Sequence, residues 1–116
     1  MEFENNQSIY IQIADTLSDK IMNGEYRPGD KIPSVRELAS EVGVNPNTIM
    51  RTYNELQSNE IIENKRGIGY FVTSSAPDRI IQERKKIFFK KSLPQFIKEA
   101  AQLDISPEEL KKHLNL

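Results

Sequence analysis

A mainly α chain with one small β-hairpin is predicted by three observations on the 116-residue sequence. Apolar residues recur at three- and four-residue steps over most of its length. Helix-start signals stand at Ser34–Glu37, Asn45–Pro46 and Ser106–Glu109. A pair of short β-branched and aromatic runs flanks Gly67 and Gly69 in the manner of a hairpin. Two closely spaced helix starts followed by a hairpin spell a winged helix-turn-helix domain, assigned to residues 1–75. A C-terminal helical dimerisation segment is assigned to residues 76–116.

In chain order, residues 1–7 are polar and expected to be loose, with Phe3 the residue that packs. Ser8 is expected to cap a helix whose stripe is Ile9, Ile13, Leu17 and Ile21, with Tyr10 and Ala14 beside it, and Gly24 ends it. Pro28-Gly29 suits the central positions of a type II turn. Lys31-Ile32-Pro33 reads as short and extended, with Ile32 buried.

Ser34 and Glu37 have the spacing of a capping box, in which hydroxyl and carboxylate satisfy orphan amides at a helix start. Gly43 supplies the positive φ that ends this helix. Asn45 is the next N-cap, and Pro46 falls where a missing N–H costs nothing. Leu38, Val42, Val44, Ile49, Tyr53 and Leu56 form the inward set, and Ala39 is small where two helices cross. Ile61–Asn64 and Tyr70–Thr73 are the two strands, joined through Lys65-Arg66-Gly67-Ile68-Gly69. They form the wing.

Beyond the wing, Ala76-Pro77-Asp78 opens a helix read from Pro77 to Leu103. Pro94 is expected to kink or divide it, with Ser92 capping the second half. Ser106-Pro107-Glu108-Glu109 is a capping box that starts a last helix through Leu114. Ile80, Ile81, Ile87, Phe88, Phe89, Leu93, Phe96 and Ile97 are too many apolar residues for a tail and call for a partner. The same segment of a second chain, in a two-fold contact, covers them most simply, so a homodimer is expected. Folding back on the winged helix is the competing arrangement. Arg84-Lys85-Lys86 and Lys90-Lys91 bracket Phe88-Phe89 and are read as the solvated face of this segment, ahead of a basic patch for nucleic acid or membrane.

Composition removes whole classes of chemistry. There is no Cys, and His113 is the only histidine, so disulfides, thiolate metal sites and His clusters within one chain are excluded. No nucleophile–base pair, phosphate loop or metal-ligand cluster is visible, so catalysis, metal and cofactor are not expected. No apolar run approaches a membrane span, and a cytoplasmic protein without a membrane partner is expected.

The candidate function lies on the outer face of the second helix-turn-helix helix. With Ile49, Tyr53 and Leu56 inward, Asn47, Thr48 and Arg51 face outward in the part that enters a major groove. Asn bonds an adenine edge, Arg a guanine edge, and Thr offers a hydroxyl or a methyl. Asn45 is read first as a cap and is kept in the DNA-contacting set. The helix N-terminus is expected to add backbone donors for a phosphate. Arg36 joins the cations of this side, and Lys65 and Arg66 sit at the wing tip. Double-stranded DNA is therefore the expected partner. The charge balance is less favourable: residues 1–75 hold seven Lys and Arg against eleven Asp and Glu, whereas residues 76–116 hold nine against six. The acidic first part keeps open a winged helix that serves as a protein-interaction or assembly module. A small-molecule effector would lodge among the C-terminal helices, but no convergent polar cluster names one.

These residues also carry a family resemblance. Gly24, the run Tyr26-Arg27-Pro28-Gly29-Asp30-Lys31-Ile32-Pro33-Ser34, then Arg36-Glu37-Leu38-Ala39, Asn45-Pro46-Asn47-Thr48 and the hairpin Gly67-Ile68-Gly69-Tyr70-Phe71-Val72 resemble the GntR family of bacterial transcription regulators over residues 8–73. The Asn-Pro-Asn-Thr helix start and the short helical C-terminal part resemble its YtrA-type subfamily, whose members lack a large effector domain and dimerise through C-terminal helices. The resemblance implies a dimeric repressor acting on an inverted-repeat operator. It places DNA contacts on Arg36, Asn47, Thr48, Arg51 and the wing around Arg66 and Gly67. Pro46 and Met50 stand where some relatives carry Arg, so base preference does not transfer from them.

Overall fold

The computed structural model describes residues 8–116, and the expectation for Phe3 lies outside them. The chain divides into two compact units, the first ending at Ile81 and the second comprising Gln82–Leu116. This division falls after the 75/76 boundary expected from the sequence. Ala76 and Ile80, at the start of the next helix, are buried in the first unit's core.

In the first unit α1 (Ile9–Met22) buries Ile13, Leu17 and Ile21, as their spacing dictates. Ile9 stays exposed. Ser8 has the extended backbone of an N-cap, and its carbonyl accepts from the amides of Ile11 and Gln12. Its hydroxyl makes no capping bond, so Ser8 holds the cap position without the side-chain role expected of it. Helix α2 (Val35–Val42) opens with the complete capping box: the Glu37 amide donates to Ser34 Oγ at 3.1 Å, and the Ser34 amide to Glu37 Oε1 at 3.3 Å. It closes at Gly43, whose φ of 80° is left-handed and strained for any residue with a Cβ.

Helix α3 (Pro46–Ser58) packs on both α1 and α2 through the buried Ile49, Thr52, Tyr53 and Leu56. Strands β1 (Ile62–Lys65) and β2 (Gly69–Val72) pair antiparallel, with Ile62 opposite Val72 and Lys65 opposite Gly69. The far edge of β2 is also paired. Lys31 bridges Phe71, the Ile32 amide donates to the Tyr70 carbonyl at 3.0 Å, and the Val72 amide to the Asp30 carbonyl at 2.9 Å. The sequence shows that Lys31–Pro33 is extended but not that it pairs with the wing. Helix α4 (Ala76–Ile87) starts in this unit, where Arg79 pairs with Glu60. Ile80, counted above with the dimerising residues, is 2% exposed and part of this core. It is therefore unavailable to a second chain.

The second unit contains the end of α4, a π-helical turn over Phe88–Ser92, then α5 (Leu93–Gln102) and α6 (Pro107–Leu114). Ser92 does not cap a new helix. Its backbone is helical (φ −68°, ψ −45°) and its side chain makes no capping bond. The Leu93 amide instead reaches back five residues to the Phe88 carbonyl. Pro94 lacks an N–H and crowds the carbonyl four residues earlier, and a widened turn absorbs both defects without breaking the helix. Ser106 does cap: its Oγ accepts from the Glu109 amide at 3.2 Å. Ile87, Phe88, Phe89, Phe96 and Ile97 are all exposed.

Candidate nucleic-acid interface

The front of α3 is built from its cap upward. Asn45 Oδ1 accepts from the Asn47 amide at 2.8 Å, and the Asn45 carbonyl accepts from Thr48 at 2.9 Å and from Ile49 at 3.4 Å. Pro46 has no amide hydrogen. The first-turn donors are therefore consumed within the cap, which removes the backbone phosphate site expected at this helix start. Asn45 is a cap whose amide oxygen is occupied. What the helix offers outward is side chains: Asn47, Met50 and Arg51 are exposed and Thr48 half-buried, while Ile49, Thr52 and Tyr53 on the opposite side are fully buried.

Two groups invisible to periodicity fix this face in place. The Thr52 hydroxyl lies 2.9 Å from the Tyr10 carbonyl and 3.1 Å from the Thr48 carbonyl, bonding α3 to α1. Tyr53 Oη donates to the Pro33 carbonyl at 2.6 Å, and its ring meets Tyr70 edge-on at 4.7 Å between centroids. Burial pushes the Tyr53 phenol well above its ordinary pKa, with nearby Tyr26 and Tyr70 adding to the effect. Arg51 lies over the Tyr10 ring, 4.3 Å from its centroid. In sequence Tyr10 shows only as a neighbour of the α1 stripe, and no local pattern connects it to Arg51.

Arg36 is exposed in the first turn of α2. Beside it, hydrogen bonding with the Ser34 hydroxyl and amide, with a smaller contribution from the charge of Lys31, holds the Glu37 carboxyl below its usual pKa. At the wing tip the Ile68 amide closes on the Lys65 carbonyl at 2.8 Å, leaving Arg66, Gly67 and Ile68 exposed in the turn. Lys65 lies over the Phe71 ring at 4.5 Å and is 3.9 Å from Glu63, so its charge is partly answered within the wing. The Lys31 side chain crosses Gly69: a Cβ there would stand 2.7 Å from Lys31 Cε. Lys31 thus lies along the wing. Among the described residues no group of three or more His, Cys, Asp or Glu is placed to hold a metal, and no helix is long and apolar enough to cross a membrane.

Residues 9–72, from the start of α1 to the end of β2, match the family described as bacterial regulatory proteins, gntR family. The chain belongs to the GntR family. Two curated relatives extend the likeness past the wing. The HTH-type transcriptional regulator YhcF of Bacillus subtilis is 40% identical over 94% of this chain and 88% of its own. The HTH-type transcriptional repressor YtrA of the same organism is 38% identical over 88% and 78%. Among solved structures, a GntR family transcriptional regulator from Listeria monocytogenes superposes with a TM-score of 0.76 at 39% identity, covering 97% of both chains. AraR(DBD) in complex with operator ORR3 superposes with a TM-score of 0.57 at 32% identity, over 63% of this chain and 86% of that one. This GntR-family chain is accordingly a DNA-binding transcription regulator of the YtrA type.

Proposed function

We propose that the chain acts as a homodimeric repressor that binds an inverted-repeat operator. In each protomer the outer face of α3 would enter a major groove, with Asn47, Thr48 and Arg51 reading base edges. Arg36 would hold the phosphate backbone beside it, and Lys65, Arg66 and Gly67 of the wing would follow the backbone or the neighbouring minor groove. Asn45 would act through the cap that shapes the helix start. The observation that carries this reading is the division of α3 into a fully buried face, Ile49, Thr52 and Tyr53, and a polar exposed face at its N-terminal end. The exposed Ile87, Phe88, Phe89, Phe96 and Ile97 supply an apolar surface that a second copy would cover. Two-fold symmetry then sets the half-sites about one DNA turn apart, roughly 34–36 Å, or a multiple of it.

Footprinting on genomic fragments with purified protein tests the proposal. Protection of two inverted half-sites at such spacing is the expected result, and binding without sequence preference removes it. The excess of acidic residues in positions 1–75 favours a second reading, in which the winged helix docks on protein. A low-salt gel shift without any selective band would leave that reading standing.

A further inference from the structure

Arg51 does not stand free on its helix. Its guanidinium carbon lies over the Tyr10 ring, 4.3 Å from the centroid. The residue after it, Thr52, is fully buried and donates to the Tyr10 carbonyl at 2.9 Å. The backbone that bears the ring is thereby pinned to the same turn of α3 that bears the guanidinium. Thr52 Oγ1 also lies 3.1 Å from the Thr48 carbonyl, so Thr48, Arg51, Thr52 and Tyr10 form one connected unit. Contact with a ring face takes none of the five guanidinium N–H donors as a conventional hydrogen bond, and the planar fork stays available to a base edge. An arginine on an open helix face spreads over many rotamers, and ordering them on contact opposes binding.

We propose that Tyr10 is a positioning residue for base recognition: its ring holds Arg51 in the free protein, so that the guanidinium reaches a guanine edge already oriented. The inference rests on the reading of Arg51 as a base-contacting residue. Tyr10 itself need not touch DNA. Tyr10→Phe keeps the ring face, and Tyr10→Leu removes it while keeping an apolar side chain.

A duplex selected by the wild-type protein from a randomised pool serves as the probe, together with derivatives in which each guanine pair is replaced singly. With Arg51→Ala, discrimination at one position of each half-site should collapse. Tyr10→Leu should lower discrimination at that same position by about five- to tenfold, leave binding to unselected duplex unchanged, and add nothing in the Arg51→Ala background. Tyr10→Phe should behave as wild type. In the free protein, the Arg51 side-chain protons should show an upfield ring-current shift in wild type and Tyr10→Phe and lose it in Tyr10→Leu. Tyr10→Leu retaining full discrimination while Arg51→Ala abolishes it would overturn the positioning role alone. Equal weakening on every duplex in both backgrounds would also overturn it, since that is the signature of a merely structural tyrosine. Unchanged discrimination in Arg51→Ala would bring down the base-reading assignment and this inference with it. Should Tyr10→Leu fail to fold, the wild-type shift decides: its absence overturns the proposal.

Discussion

Tyr53 Oη donates to the carbonyl of Pro33 at 2.6 Å, joining the middle of α3 to the residue just before the Ser34 cap of α2. The bond crosses the helix-turn-helix from inside. It sets where α3 stands relative to the start of α2 while leaving the outer face untouched. Tyr53→Phe keeps the ring against Tyr70 but strands that carbonyl, and should cost about 1–2 kcal/mol in urea denaturation with little change in DNA sequence preference.

Tyr53 also gives the protein an alkaline limit. Its folded-state pKa lies above the ordinary 10.0, because burial disfavours the phenolate. The unfolded chain ionises first, so this contribution is intact below pH 10.0 and is lost as pH rises from there toward the folded value. Denaturation midpoints measured across that range should fall with pH in the wild type and fall less steeply in Tyr53→Phe.

The Ser34–Glu37 box sets a limit at the acidic end. Glu37 has a folded-state pKa below 4.5, so its contribution is complete above that pH and disappears as pH falls through the folded value. Ser34→Ala removes the hydroxyl that caps α2 and should cost about 1 kcal/mol near neutrality. A pH series of melting curves should show a smaller acid-side decline for Ser34→Ala than for wild type.

On DNA, Arg51 and Arg66 should part company. Arg51→Ala should cost about 1–3 kcal/mol on the selected duplex and relax preference at one position. Arg66→Ala should weaken all duplexes alike and reduce the slope of log K against log salt by about 1. Anisotropy titrations over a salt series separate the two. Identical behaviour of both variants would remove the division between helix and wing.

For assembly, Phe89→Asp together with Ile97→Asp places charge on two exposed apolar positions of the second unit. Sedimentation should show a dimer for wild type and a monomer for the double variant, with an unchanged helical circular dichroism spectrum. Operator affinity should fall as the second half-site ceases to contribute. A monomeric wild type would end the dimer proposal.

What was legible in the sequence was mostly local. Ser34 with Glu37, and Asn45 with Pro46, mark helix starts because a cap is satisfied within four residues of itself, and both form as expected. The wing was legible from Gly67 and Gly69 between two β-prone runs. Ser8 and Ser92 carry the same kind of signal without the side-chain bond, and at Ser92 the helix accommodates Pro94 by widening. Ile80 looks like its exposed neighbours in sequence, and only packing shows that it belongs to the first unit's core. The connections that shape the candidate site join distant residues: Thr52 and Arg51 with Tyr10, Tyr53 with Pro33, Lys31 with Gly69. No periodicity or spacing rule reports contacts of that kind.

The wide turn at Phe88–Ser92 is also a phase correction. Along an unbroken α-helix, residues eight apart are rotated by about 80°, so Phe88 and Phe96, or Phe89 and Ile97, would point in clearly different directions. Taking up one extra residue in the turn subtracts about 100° and brings each pair to within roughly 20° of alignment. Each pair then forms a straight row along the helix, the two rows lying about 100° apart. A proline that looks like a defect in the helix thereby lines up the residues on either side of it.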